Sequence, residues 1–390
     1  MNNRPLRVII SGGGTAGHIH PAVSVADALR SLLGEDGVEI LFVGAEGKME
    51  MERVPNAGYR IVGLPVAGLQ RRPLVSKNNL ALPFKVVRSL RRARRIVRDF
   101  KPDIVAGFGG YASAPVLWAA QRMGVPTMIQ EQNSYAGLTN RLLSKRARAI
   151  CVAYEKMERF FPAAKLVYTG NPLRGHFSGL AELSAALKAE ACAHFGFDPA
   201  SGRKTLLVVG GSLGTRTLNR CMLRWLDTLA EREDVQVIWQ NGKYYDAQIA
   251  AAVEARAGGL PENVWRGAFV ERMDLAYALA DVVVARAGAC TVSELELVGR
   301  PVIFVPSPNV AEDHQTRNAQ ALVAAGAARL VPDASAEEEV IPDALELLAD
   351  DARRAEMVRN ILKLGRPDAA LKVAEIVLKI ANEYGERKER

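Results

Sequence analysis

Four cysteines in 390 residues, Cys151, Cys192, Cys221 and Cys290, stand far apart, with no C-x-x-C pair and no metal-ligand spacing. That pattern excludes a disulfide framework and a zinc-finger type of site, and reduced thiols in a cytoplasmic protein are expected. No uncharged apolar stretch approaches the roughly 18 residues a membrane-spanning helix needs. Ahead of the first glycines stand Arg4, Arg7 and a short apolar run, so no signal peptide is expected. No glycine turn is followed by Gly-Lys-Ser/Thr, which excludes a Walker phosphate loop. The basic residues are not interleaved with aromatics and no reader motif accompanies them, so nucleic acid is not an expected partner.

What is present is an ordinary soluble composition, 49% hydrophobic and 24% charged, in a chain long enough for two domains. The net charge of +8 is unevenly spread. Lys85, Arg88, Arg91, Arg92, Arg94, Arg95, Arg98 and Lys101 crowd one segment, opposed there only by Asp99. Such a block attracts anionic lipid, an acidic substrate or nucleic acid, or is simply a solvated helix face.

Apolar runs alternate with amphipathic stretches along the whole chain. LRVII, VEILFVG, DIVAGF, TMIQ and AICVA read as strands of one sheet, and TLLVVG, VQVIWQ, VWRGAF, DVVVAR and VIFVP as strands of a second. Continuous Val/Ile/Leu strands separated by helices imply parallel sheets covered on both faces. VIISGGGTAGH and LLVVGGSLGTRTLN repeat one pattern of strand, glycine turn and helix. The expectation is therefore an α/β protein of two doubly wound domains. Residues 1–170 form the first and 171–368 the second, with the change near Gly170-Asn171-Pro172 and a final helix (369–390) packing back on the first. Ligands of such sheets sit at the carboxyl ends of the strands, and a cleft between two domains is the natural active site.

Gly12, Gly14 and Gly17 spell G-x-G-x-x-G directly after the first strand, the dinucleotide-binding spacing. A nicotinamide site also wants an acidic residue at the end of the second strand. Here that strand ends at Val43-Gly44, Glu46 lies beyond it in a loop, and Asp36 precedes it. Two more glycine turns, GFGGYASAP and GGSLGT, follow strands in the same way. Glycine lets a ligand come close to the backbone, and the next helix offers free N–H groups to a phosphate. A fourth helix start, AGACTVSEL, brings Cys290, Thr291 and Glu294 to a first turn. Glu294 either accepts hydrogen bonds from two vicinal hydroxyls or closes a Thr-x-x-Glu capping box. Both readings stand at this point.

Seven segments in order, GGGTAGHIHPA, GFGGYASAP, EQNSYAGLTNR, GNPLR, GGSLGTRTLN, RAGACTVSEL and EDHQTRNA, closely resemble the MurG family of bacterial N-acetylglucosaminyltransferases. The resemblance runs over most of the chain. It implies a GT-B fold, two Rossmann-like domains with the active site in the cleft between them, and an inverting mechanism without metal or cofactor. The donor it implies is UDP-GlcNAc. The acceptor is lipid I, undecaprenyl-diphospho-MurNAc-pentapeptide, and the products are lipid II and UDP. It further implies a peripheral location on the cytoplasmic face of the inner membrane, with cell-wall synthesis proteins as partners.

Carried over position by position, the resemblance implies that Arg174, Ser212, Cys290 and Thr291 hold the donor diphosphate. Phe269 and Val270 grip uracil, Glu294 takes the ribose hydroxyls, and Gln315 contacts the sugar. Thr15, Gly17 and Asn133 complete the implied donor contacts. Gly13, Gly14, Gly109, Gly110 and Tyr111 face the acceptor diphosphate. His18 is the candidate base, since an imidazole titrates near working pH, and Glu131 is the alternative. Phe84, Arg88, Arg91, Arg92, Arg95 and Trp118 form a membrane patch of apolar groups ringed by cations. The chain departs from some relatives in reading His314-Gln315 where they carry two glutamines.

Overall fold

The computed structural model describes residues 4–66, 82–173, 177, 185–211, 214–310 and 313–389. The chain forms two compact units, one of residues 1–174 with 366–390, the other of residues 175–365.

Unit 1 runs β1 (Leu6–Ser11), α1 (Ala16–Leu33), β2 (Val38–Ala45), α2 (Glu50–Asn56), β3 (Arg60–Leu64), α3 (Leu82–Phe100), β4 (Ile104–Gly107), α4 (Ser113–Arg122), β5 (Thr127–Glu131), α5 (Leu138–Leu143), β6 (Ala149–Val152) and β7 (Leu166–Tyr168). The strands make one parallel sheet in the order β3-β2-β1-β4-β5-β6-β7. Alternate strand residues serve opposite cores. Val8, Ile10 and Phe42 face α1, while Ile9, Leu41 and Val105 face α3 and α4. Parallel strands buried on both faces need apolar residues at consecutive positions, which is why the sequence shows runs rather than alternation.

Unit 2 runs α6 (Ala185–Phe195), β8 (Lys204–Val209), α7 (Arg216–Ala230), β9 (Val235–Gln240), α8 (Asp246–Glu254), β10 (Val264–Gly267), α9 (Met273–Leu279), β11 (Ala280–Ala285), α10 (Ala289–Val298), β12 (Val302–Phe304), α11 (His314–Ala324), β13 (Ala328–Leu330), α12 (Ala336–Ala349) and α13 (Asp351–Leu362). Its parallel sheet has the order β10-β9-β8-β11-β12-β13. The last helix, α14 (Ala369–Glu389), belongs to unit 1, where Val373, Ala374, Val377 and Ile380 join the core beside Val25, Ala26 and Leu29 of α1.

The strand order reverses direction between β1 and β4 in unit 1, and between β8 and β11 in unit 2. Crossovers leave such a switch point on opposite faces, so a crevice opens at the carboxyl ends of those strands. The glycine turns after β1, β4 and β8 lie at these two crevices.

Candidate functional site

In unit 2 the crevice is a pocket of about 740 Å³ bordered by Gly210, Gly211, Gly214, Thr215, Phe269, Val270, Arg286, Thr291, Glu294 and Gln315. The turn after β8 is tight because Gly211 and Gly214 both have φ of +80°, and Gly214 N–H closes it on Gly211 O at 2.8 Å. A Cβ on Gly214 would run into the Asn241 carbonyl. Thr215 then caps α7, accepting from Leu218 N–H at 3.4 Å.

Glu294 is where two readings met, and the capping box is not formed. Gly288 is the N-cap of α10 with no side-chain cap, so Thr291 already stands within the first turn. Glu294 Oε2 instead accepts from the Tyr277 hydroxyl at 3.0 Å. Burial pushes the carboxyl up to about 7, with the tyrosine hydrogen bond pulling the other way. Burial and the neighbouring Glu294 raise the Tyr277 phenol well above its ordinary value, so it stays a donor. Gln315 presents its oxygen to Ser307 N–H at 2.9 Å, which turns its NH₂ the other way as a donor. Phe269 is 45% exposed and lies under Lys243, while Val270 is buried. Cys290 does not border the pocket; burial and Glu294 raise its thiol, which keeps it neutral. Arg174 and Ser212 lie outside the described residues.

Arg286 is a pocket residue that sequence reasoning missed. Its guanidinium donates to Thr215 Oγ1 at 2.8 Å, to Val305 O at 2.8 Å and to Asp333 at 2.5 Å. From its place just after β11 it ties the start of α7 to the segments after β12 and β13. The signal was available: it is the lone charge closing the apolar run of β11.

In unit 1 the turns after β1 and β4 meet. Gly110 (φ +80°) passes so close to Gly13 that a Cβ there would strike the Gly13 carbonyl. Glu50, fully buried at the start of α2, accepts Gly14 N–H at 3.0 Å and Ala45 N–H at 2.9 Å. Sequence reading offered no sign of it. His18 sits in the first turn of α1, after N-cap Thr15 and Gly17, with its ring about 3.0 Å from where a Cβ on Gly109 would stand. Its Nδ1 faces Gln132 Oε1 at 3.0 Å. Tyr111 is 61% exposed beside the second turn.

Glu131 does not have the surroundings of a base. It is buried and accepts from Asn133 N–H, Asn133 Nδ2, Gly137 N–H and Asn140 Nδ2 at 2.9–3.3 Å. Those four bonds staple the loop after β5, and Asn133 is held by them.

Helix α3 separates what the sequence joined into one patch. Arg88, Arg91, Arg92 and Arg95 border a hollow of about 1210 Å³ with Arg7 and Arg60, floored by Leu41, Val62 and Phe100. Trp118 belongs to a different hollow of about 500 Å³, with Val86, Leu90, Tyr111 and Leu142. Nothing is described of the Phe84 side chain. Among the described residues no helix is long and apolar enough to cross a membrane, and no three His, Cys, Asp or Glu side chains gather as a metal site.

Residues 8–152 match the glycosyltransferase family 28 N-terminal domain and residues 205–373 the glycosyltransferase family 28 C-terminal domain. A Parabacteroides distasonis protein is 52% identical over 377 residues, covering 97% of this chain and 99% of its own. It is named UDP-N-acetylglucosamine–N-acetylmuramyl-(pentapeptide) pyrophosphoryl-undecaprenol N-acetylglucosamine transferase. Among solved structures, Acinetobacter baumannii MurG is similar at 29% identity and a TM-score of 0.75, covering 96% of this chain and all of that one. A UDP-GlcNAc 2-epimerase from Neisseria meningitidis, bound to UDP-GlcNAc, shares the fold at 17% identity and a TM-score of 0.65, over 96% of this chain and 100% of that one.

Proposed function

The chain belongs to glycosyltransferase family 28, and on that footing we propose that it transfers GlcNAc from UDP-GlcNAc to lipid I, making lipid II for peptidoglycan. The observation that carries this reading is the 52% identity to a transferase of that name over nearly the full length of both chains. A shared fold alone would serve an epimerase equally well.

In the reaction the MurNAc 4-hydroxyl attacks the anomeric carbon from the face opposite UDP. The C1–O bond to UDP breaks as the new bond forms, and the configuration inverts. The unit 2 pocket holds the donor. Phe269 and Val270 take the uracil and Glu294 the two ribose hydroxyls. Arg174, Ser212 and Thr291, with N–H groups at the helix starts, steady the diphosphate as its charge grows. Gln315 directs its NH₂ at a sugar hydroxyl. In unit 1, His18 takes the proton of the attacking hydroxyl. The turns containing Gly13, Gly14, Gly109 and Gly110 receive the acceptor diphosphate; the Gly14 N–H is held by Glu50, so the contacts come from the other N–H groups of these turns.

The acceptor's tail stays in a bilayer, so the chain docks peripherally on an anionic inner-membrane surface. The apolar hollow around Trp118 and Leu142 and the arginines of α3 supply the two kinds of contact such a surface needs.

The deciding assay is incubation with radiolabelled UDP-GlcNAc and a short-chain lipid I analogue. A labelled disaccharide lipid with one UDP released per transfer is expected. Epimerisation of UDP-GlcNAc without any acceptor product would overturn the reading.

A further inference from the structure

We infer that Gln132 decides which nitrogen of His18 can receive a proton, and is thereby a positioning residue for the transfer; this rests on His18 being the base. Gln132 opens the segment after β5 and is 1% exposed. Its Nε2 donates to the Phe108 carbonyl at 2.9 Å, and the Gln130 carbonyl lies 3.4 Å from the same nitrogen. Backbone carbonyls only accept, so the NH₂ must point at them. The opposite arm of the amide, Oε1, is then the atom facing His18 Nδ1 at 3.0 Å.

An amide oxygen only accepts as well. Nδ1 of the neutral imidazole therefore carries the hydrogen, and the lone pair is on Nε2. A histidine ring in water prefers the reverse arrangement, with hydrogen on Nε2. Gln132 overrides that preference, and its burial keeps water from competing for the bond. Phe108 opens the second glycine turn, so the backbone of that turn, through one amide, sets the ring at the first.

The choice of amide over carboxylate has its own meaning. A carboxylate at this place would favour the imidazolium and leave the base already protonated near neutral pH. A neutral acceptor fixes the tautomer without that effect. In the transfer step the 4-hydroxyl proton goes to Nε2, the oxygen's electron pair forms the bond to C1, and UDP departs with the pair from the broken bond. The ring ends as an imidazolium with both nitrogens protonated, still donating from Nδ1 to Gln132. It returns to neutral by losing the Nε2 proton to solvent.

The direct test is ¹⁵N NMR of histidine-labelled wild-type protein above the pKa of the ring, with the His18 signals assigned by their loss in His18→Ala. The expected spectrum shows protonated Nδ1 and unprotonated Nε2; hydrogen on Nε2 overturns the inference. Gln132→Met should lower kcat about 10- to 100-fold, as loss of an orienting partner does, with the KM for UDP-GlcNAc unchanged. Gln132→Glu should move the acidic limb of the kcat/KM profile to higher pH by about one unit or more. A Gln132→Glu enzyme that folds and shows an unmoved limb overturns the positioning role. Near-normal turnover by His18→Ala, with the expected tautomer seen, would remove the base reading and the positioning role with it, leaving only the hydrogen bond.

Discussion

Tyr277 donates its hydroxyl hydrogen to Glu294 Oε2 across 3.0 Å, from α9 to α10 of unit 2. The bond leaves the other carboxylate oxygen to the pocket, yet burial still holds the acid at about 7. The site thus stores an unfavourable charge that ribose hydroxyls would solvate.

That arrangement links stability, binding and pH. The folded carboxyl titrates near 7, above its ordinary 4.5, so folding favours the neutral form. Its contribution is fully present at acid pH and is lost as pH rises through about 7. Glu294→Gln should therefore melt higher than wild type at pH 8 and no higher near pH 4.5. The same variant should raise the KM for UDP-GlcNAc about 10- to 100-fold at pH 8, the scale of hydrogen bonds to a charged group. Wild-type donor affinity should weaken below about pH 7, where the variant's stays flat. Calorimetric titration of UDP-GlcNAc across pH, beside thermal melts, checks both halves.

Glu50 serves the other unit. Its two oxygens accept the N–H groups of Gly14 and Ala45 while its side chain fills the space beside Gly13 and Gly44. Glu50→Gln sets an NH₂ against one of those donors and should cost about 1–3 kcal/mol. A lower melting temperature and a higher KM for the lipid acceptor, with donor KM unchanged, are expected. Gly13→Ala should behave similarly, because its methyl group meets the Glu50 carboxylate.

His18→Ala should lower kcat by about 10²–10⁴, with UDP-GlcNAc binding intact by titration. Glu131→Gln is the control that separates the two candidates. It should act mainly through loop stability, since Glu131 is engaged by four donors. A larger kcat loss in folded Glu131→Gln than in His18→Ala would reverse the assignment.

The two hollows flanking α3 should fail in different ways. Replacing Arg91, Arg92 and Arg95 by Glu should weaken binding to anionic vesicles on the order of 100-fold or more at low salt, at about 1 kcal/mol per cation lost. That effect should shrink as salt rises. Trp118→Glu with Leu142→Glu should weaken binding at any salt concentration, because apolar insertion is not screened. Vesicle co-sedimentation over a salt series distinguishes them.

The strands that the sequence revealed are those with continuous β-branched runs, such as VVVA of β11. Those it hid are β3, β7 and β13: RIVGL contains Arg60 and Gly63, and LVY and ARL are too short to show a pattern. The glycine turns were legible because a positive φ or a close backbone approach has few other solutions. Glu50 and Gln132 were not, because their partners are backbone groups or side chains that no sequence pattern brings together; Arg286 left only the sign of a charge closing an apolar run, and its partners are distant in sequence. Thr291-x-x-Glu294 matched a capping motif by spacing, but the helix begins earlier, at Ala289, and Tyr277 claims the acid. One membrane patch became two hollows because a helix of this length presents successive residues to different sides.

Helix α14 contributes Val373, Ala374 and Val377 to the same core as β1 and α1, which are made well before it. During synthesis that face of the sheet, packed by α1 and α2, stays incompletely covered while all of residues 175–365 are made. A nonsense codon even at Lys372 would therefore uncover the core built on β1 and α1, about 350 residues away in the chain, rather than harm the C-terminal segment alone.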